Sequence, residues 1–186
     1  MVKVMTPRQR VWAALNHQQP DRVPRDLGGT ASSSISIGAC ERLYRYLGIN
    51  EPVQVSHERG KLARLVEPVL ERFCIDTRGL VPKGGAFAVG QQAEDGTYTD
   101  EWGIVRAKAS GDGYYHVVRP PLAGELTPNT IRAHAQRWPD PADPALVAGM
   151  GEEARRLHAE TDYAIILSLP IGIFIKHNSC VALTHG

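Results

Sequence analysis

The feature that most restricts the fold is the run Tyr163-Ala164-Ile165-Ile166-Leu167-Ser168-Leu169, almost continuously apolar and of strand length. A strand with one wet face alternates apolar and polar residues. This run does not, so it reads as a parallel strand covered on both faces. Parallel strands are joined by crossovers, and the preceding residues supply a helical one. Asp143-Pro144 pairs a capping carboxylate with a proline at the first helical position, which predicts a helix from there to about Glu160. An α/β class follows.

The rest of the chain keeps the same alternation. Thr6 caps a helix begun by Pro7, with Val11, Trp12, Ala14 and Leu15 as its apolar stripe, ending near His17. Pro20 and Pro24 then impose an extended segment around Asp21-Arg22-Val23. A second helix is expected from Gly38 to Leu47, with Gly48 as its left-handed cap. From Lys61, residues Leu62, Leu65, Val66, Val69, Leu70 and Phe73 follow a 3.6-residue period, which predicts one long helix kinked at Pro68. Cys74 to Val81 follows it as a strand. Gly111-Asp112-Gly113 between two aromatic and β-branched runs predicts a β-hairpin, with Trp102, Tyr114 and Tyr115 in its packing. Thr127-Pro128 starts a further helix. This order fits part of a TIM-type (β/α)8 barrel, or an open doubly wound sheet, with a hairpin inserted. A whole barrel takes about 250 residues, so the 186 present could supply only some of its eight units, with the closing strands missing.

Composition narrows the function classes. Lys and Arg number 21 against 20 Asp and Glu without any block of one sign, so neither nucleic acid nor an anionic membrane is expected as a partner. Pro170 and Gly172 interrupt the apolar stretch Ala164 to Ile175, which is too short for a membrane span. Three widely spaced cysteines, Cys40, Cys74 and Cys180, argue for reduced thiols and a cytoplasmic protein, with Cys40 and Cys74 read as buried and inert.

Four stretches taken in order, TPRQRVWAALNHQQPDRVPRDLGG, LERFCIDTRGLVP, YTDEWGIVRA with YYHVVRPPLA, and WPDPADPALVAGMGEEARRLHAETDYAII, resemble the uroporphyrinogen decarboxylase superfamily from Thr6 to about Phe174. The resemblance implies a TIM-type barrel acting on a tetrapyrrole or on a corrinoid protein. It covers true decarboxylases of porphyrin biosynthesis, which need no cofactor. It also covers zinc-dependent methyltransferases that pass a methyl group between a corrinoid and a thiol. Where the true decarboxylase has an Arg-Gln-Ala-Gly-Arg-Tyr run for substrate carboxylates, this chain reads Arg25-Asp26-Leu27-Gly28-Gly29-Thr30. Where that enzyme carries a catalytic aspartate beyond the position of Asp76, it reads Val81-Pro82-Lys83-Gly84. Both departures favour the methyltransferase-like branch, whose His and Cys zinc ligands the resemblance assigns to the second half of the barrel.

The residues themselves offer Asp26 as the candidate catalytic group, at the end of the first extended segment, where a barrel presents its chemistry. Arg25, Gly28, Gly29 and Thr30 are candidates for substrate binding, against the plainer reading of a bend at a strand end. Asp76-Thr77-Arg78 reads as an internal ion pair near the end of the second strand. His17, His57, His116, His134 and His158 read as surface or helix-end residues, and His177-x-x-Cys180 with His185 as an ordinary terminal segment, so no metal or cofactor is expected in this chain. The divergent residues 175–186 suggest a truncated or frame-shifted product. Two further readings stand beside the methyltransferase: a true decarboxylase, and a non-catalytic half-barrel that self-associates through its open strand edges.

Overall fold

The computed structural model describes residues 4–80, 89–110, 113–124, 126–140 and 142–167. The Val81 to Gly84 run, the turn residues Gly111 and Asp112, and His177, Cys180 and His185 lie outside them. Helices and small sheets alternate in a mixed α/β chain, and among the described residues none of the sheets closes into a barrel. The chain divides into two compact units: residues 1–57, 61–83 and 145–168, and residues 58–60, 84–144 and 169–186.

In the first unit, α1 (Pro7–Leu15) begins as expected, with a reciprocal cap between Thr6 and Gln9. Its inward face differs from the expected stripe. Arg10 and Ala13 are buried, whereas Trp12 and Leu15 are 68% and 67% exposed. The reason is electrostatic: the Arg10 guanidinium is drawn inward to Asp21 and Asp76, and the helix turns to follow it. Helix α2 (Ile37–Leu47) is capped by Ser36 and ends on Gly48 at φ 71°, the left-handed cap that its position predicts.

The long helix expected from Lys61 is absent. Strands β1 (Gln54–His57) and β2 (Leu62–Arg64) form an antiparallel pair, and helix α3 spans only Glu67–Arg72. Pro68 sits in its first turn, where a missing N–H costs nothing, so the proline starts a helix instead of kinking one. The apolar period is satisfied differently. Ala63, Leu65, Val69, Leu70 and Ile75 pack with Cys40 and Tyr44 of α2, and the Tyr44 hydroxyl accepts the Val66 N–H at 3.0 Å.

Strand β3 (Thr77–Leu80) follows α3, and its parallel partner comes last in the described chain. Three strands intervene in order, β4 (Thr97–Thr99), β5 (Val105–Lys108) and β6 (Tyr115–Arg119), then helices α4 (Pro128–Ala135) and α5 (Met150–Glu160), then strand β7 (Ala164–Leu167). Strands β3 and β7 pair in parallel with Thr77 opposite Ala164 and Leu80 opposite Leu167. The parallel partnership agrees with the sequence reading; full coverage does not, since Leu167 is 48% exposed. The helix predicted from Asp143-Pro144 is split. A 3-10 turn over Pro144–Val147 gives way at Gly149 to α5, the crossover helix leading into β7. Arg8 fastens α1 to the end of that helix, its side chain donating to the carbonyls of His158, Thr161 and Tyr163.

The second unit holds an antiparallel meander in the order β4-β5-β6, which is the expected hairpin with one more strand. Tyr115 packs edge-on to Tyr98 at 5.1 Å, but Tyr114 is 65% exposed and Trp102 leans on Trp138 at 5.9 Å. Between β4 and β5 the buried Asp100 carboxylate accepts from the Trp102 and Ile104 amides and from Arg59 and Arg106, which holds the turn closed. Helix α4 has the predicted Thr127 cap and carries His134, buried beneath Gly103 and Trp138.

Candidate functional site

Pro24 holds the residue before it extended, and the extended chain is then bonded alongside β3. The Asp76 N–H donates to the Arg25 carbonyl at 2.9 Å, and the Arg25 N–H returns to the Asp76 carboxylate at 2.8 Å. Four residues on, the Gly29 carbonyl lies against Gly79. Both chains advance together between these contacts, so the segment runs parallel to β3. On the other side of β3, the Ala164 N–H donates to the Asp76 carbonyl at 2.9 Å. Three extended segments thus run in one direction, those ending at Asp26, at Leu80 and at Leu167.

Asp76 anchors this ribbon. Its carboxylate has no exposure and accepts from Arg10, from Arg22 and from the Arg25 amide. Arg10 is shared with Asp21, and this arginine, followed by the Met5 amide, holds the Asp21 carboxyl far below the ordinary carboxylate range. Arg78, next but one along, turns to the helix side. It pairs with Glu67 of α3 and stacks 3.4 Å over the Tyr163 ring. The internal pair expected of Asp76 and Arg78 does not form: Asp76 pairs with Arg10 and Arg22, and Arg78 with Glu67.

Thr77 and Gly79 face the opposite side, toward the loop that follows Asp26. The Thr77 hydroxyl donates to Asp26 Oδ1 at 2.5 Å, and the Gly29 N–H donates to the same oxygen at 3.0 Å. Asp26 is exposed, and no hydrogen bond falls on its Oδ2 among the described residues. Both glycines here are required by close approach. A Cβ on Gly29 would stand 2.4 Å from Asp26 Oδ1, and one on Gly79 would stand 2.4 Å from the Gly29 carbonyl oxygen.

The candidate substrate-binding residues are used within the loop. The Gly28 N–H donates to the Ser33 carbonyl at 3.0 Å, and the Thr30 N–H to the Ser33 hydroxyl at 3.1 Å. With the Gly29 amide on Asp26, the three consecutive amides of Gly28-Gly29-Thr30 are occupied, and the loop is not a ready cradle for an anion. The Arg25 guanidinium points back to the Phe73 carbonyl at 3.1 Å. Asp26 and Arg25 are both exposed, Arg25 with one guanidinium nitrogen on that carbonyl. An open cleft of about 560 Å³, which Asp26 does not line, borders Gly79 and Leu80 at the end of β3 and is walled by Met150, Glu152, Glu153 and Arg156 of α5, with Arg64. Arg156 is already committed to Glu153 and Glu160.

Sequence reasoning missed Thr77 and Arg10. Thr77 lies 51 residues from Asp26, and nothing local marks it as a partner. Arg10 shares a helix face with Ala13, a spacing that signals a common environment, but its charge hid it. Cys74 is exposed, contrary to expectation, because it sits at φ 50° in the turn that reverses α3 into β3; Cys40 is buried, and burial pushes its thiol up. Among the described residues no three His, Cys, Asp or Glu side chains converge as metal ligands. No helix among them is long and apolar enough to cross a membrane. No protein-family model, curated protein or solved structure matches this chain.

Proposed function

We propose that the chain is the front portion of a uroporphyrinogen decarboxylase-superfamily barrel, of the corrinoid-dependent methyltransferase branch. On this reading it takes a methylated corrinoid at the C-terminal ends of its parallel segments, for transfer of the methyl group to a thiol. The cobalt–carbon bond breaks, a sulfur–carbon bond forms, and the thiol proton is released. The observation that carries the reading is the polarity of the Asp26 site. Its outward group is a hydrogen-bond acceptor, its loop amides are spent, and the nearby Arg25 is a single guanidinium engaged through Nη1 at the Phe73 carbonyl. Uroporphyrinogen is an octacarboxylate and needs several fixed cationic or amide donors. A corrin ring is rimmed with amide side chains, and their N–H groups suit a carboxylate acceptor.

Equilibrium dialysis of the full chain against methylcobalamin and, separately, against uroporphyrinogen tests the choice. Retention of methylcobalamin in preference to uroporphyrinogen is expected. Release of carbon dioxide from uroporphyrinogen by the chain would overturn the branch, and retention of neither compound would overturn the tetrapyrrole reading altogether.

A further inference from the structure

We infer that Thr77 is a positioning residue that sets which oxygen of Asp26 meets the ligand; the inference rests on the reading of Asp26 as the ligand-facing group. Thr77 is 4% exposed, so water does not compete for its hydroxyl. That hydroxyl and the Gly29 N–H converge on one oxygen, Oδ1, at 2.5 Å and 3.0 Å. An aspartate at an exposed loop end is otherwise free to turn about its side-chain torsions, and the terminal one is broad. Two donors on a single oxygen fix the plane of the carboxylate and aim Oδ2 outward. The acceptor is then in place before the ligand arrives, which lowers the ordering cost of binding.

The hydroxyl is itself held on a rigid support. Its neighbour Asp76 is fixed by Arg10 and Arg22, Arg78 is fixed by Glu67 and Tyr163, and Gly79 lies close against the Gly29 carbonyl. Thr77 therefore has no play of its own to pass to Asp26. Precision of this kind is what a supporting residue contributes to a binding group.

The substitutions Thr77→Val, Thr77→Ser and Asp26→Asn in the full chain separate this role from packing. Valine keeps the volume and removes the donor, leaving the Gly29 amide in place; serine keeps the donor. Retention of methylcobalamin is read by equilibrium dialysis in the dark, and thermal unfolding is followed for each variant. Asp26→Asn and Thr77→Val should each weaken retention about tenfold, the loss of one charge-assisted hydrogen bond, and Thr77→Ser should stay within about twofold of the parent. If Thr77→Val unfolds below the assay temperature, Thr77→Ala takes its place with the same expectation. Parental affinity in the variant that lacks the hydroxyl, alongside a weakened Asp26→Asn, would overturn the positioning role alone. A Thr77→Ser variant as weak as Thr77→Val would make the role one of packing and also overturn it. No retention by the parent, or none of the loss in Asp26→Asn, would overturn the reading of Asp26 and this inference with it.

Discussion

Arg10 Nη1 donates to Asp76 Oδ1 at 2.5 Å, in a pair whose side chains are 6% and 0% exposed. A charge pair removed this far from water is costly to break from one side: Arg10 would keep Asp21 but would stay buried with one of its two counter-charges gone. Asp76 also receives Arg22 and the Arg25 amide, so one carboxylate joins α1, the extended segment and β3. Asp76→Ala should therefore destabilise the fold by about 3–5 kcal/mol. A fall in the urea midpoint at unchanged slope is the measurement that checks it.

Asp21 gives that network its pH dependence. The Arg10 guanidinium, then the Met5 amide, keep its carboxyl ionised well below the ordinary value of 3.8. A depressed native pKa means that the unfolded chain takes up the proton first. The contribution to stability is thus complete above that ordinary value and is lost as the pH falls further into acid. Unfolding followed over an acid series should show this limb in the parent protein. In Asp21→Asn the limb should flatten.

A third expectation concerns the contact between two backbones. At position 79 even a methyl group would stand 2.4 Å from the Gly29 carbonyl oxygen, and the obstacle is main chain, which cannot swing aside as a side chain does. Gly79→Ala should cost about 1–3 kcal/mol, the range for overpacking. It should also push the Asp26 loop off β3. Chemical denaturation gives the first effect, and faster amide exchange at Gly29 the second.

Tyr98 is 2% exposed, and its hydroxyl has no hydrogen-bond partner among the described residues. Burial pushes its ionisation up to about 12, against the pull of Arg59 and Arg106. An unfolded tyrosine ionises near pH ~10, so the native state holds this proton longer than the unfolded one does. Stability from this source is full below that value and is lost as the pH rises toward about 12. Tyr98→Phe should remove the highest-pH component of a tyrosinate absorbance titration and leave stability at neutral pH within about 1 kcal/mol of the parent.

What could be read in the sequence was what is decided locally. The Thr6-Pro7 and Thr127-Pro128 starts and the Gly48 stop are each settled within a few residues by cap chemistry, and each lies where it was expected. The segment from Lys61 to Phe73 misled because its apolar spacing serves two elements at once. Ala63 and Leu65 reach the core from around a strand, and Val69 and Leu70 from a helix. Periodicity records which residues are buried and not how the chain gets them there. Asp26 could be picked out by its place after Pro24. Its partner Thr77 could not, since only the parallel course of two distant segments brings them together.

The ties of Arg8 to His158, Thr161 and Tyr163 span 150, 153 and 155 residues. A ribosome adding about 5–20 residues per second delivers those partners roughly 8 to 30 seconds after Arg8 itself. Helix α1 emerges first and, for want of these carbonyls, is seated last. Throughout that interval Arg10 can already meet Asp21 and Asp76, 11 and 66 residues on, so the helix is held first from its Arg10 side and its Arg8 side is closed only by the arrival of the far end of the chain.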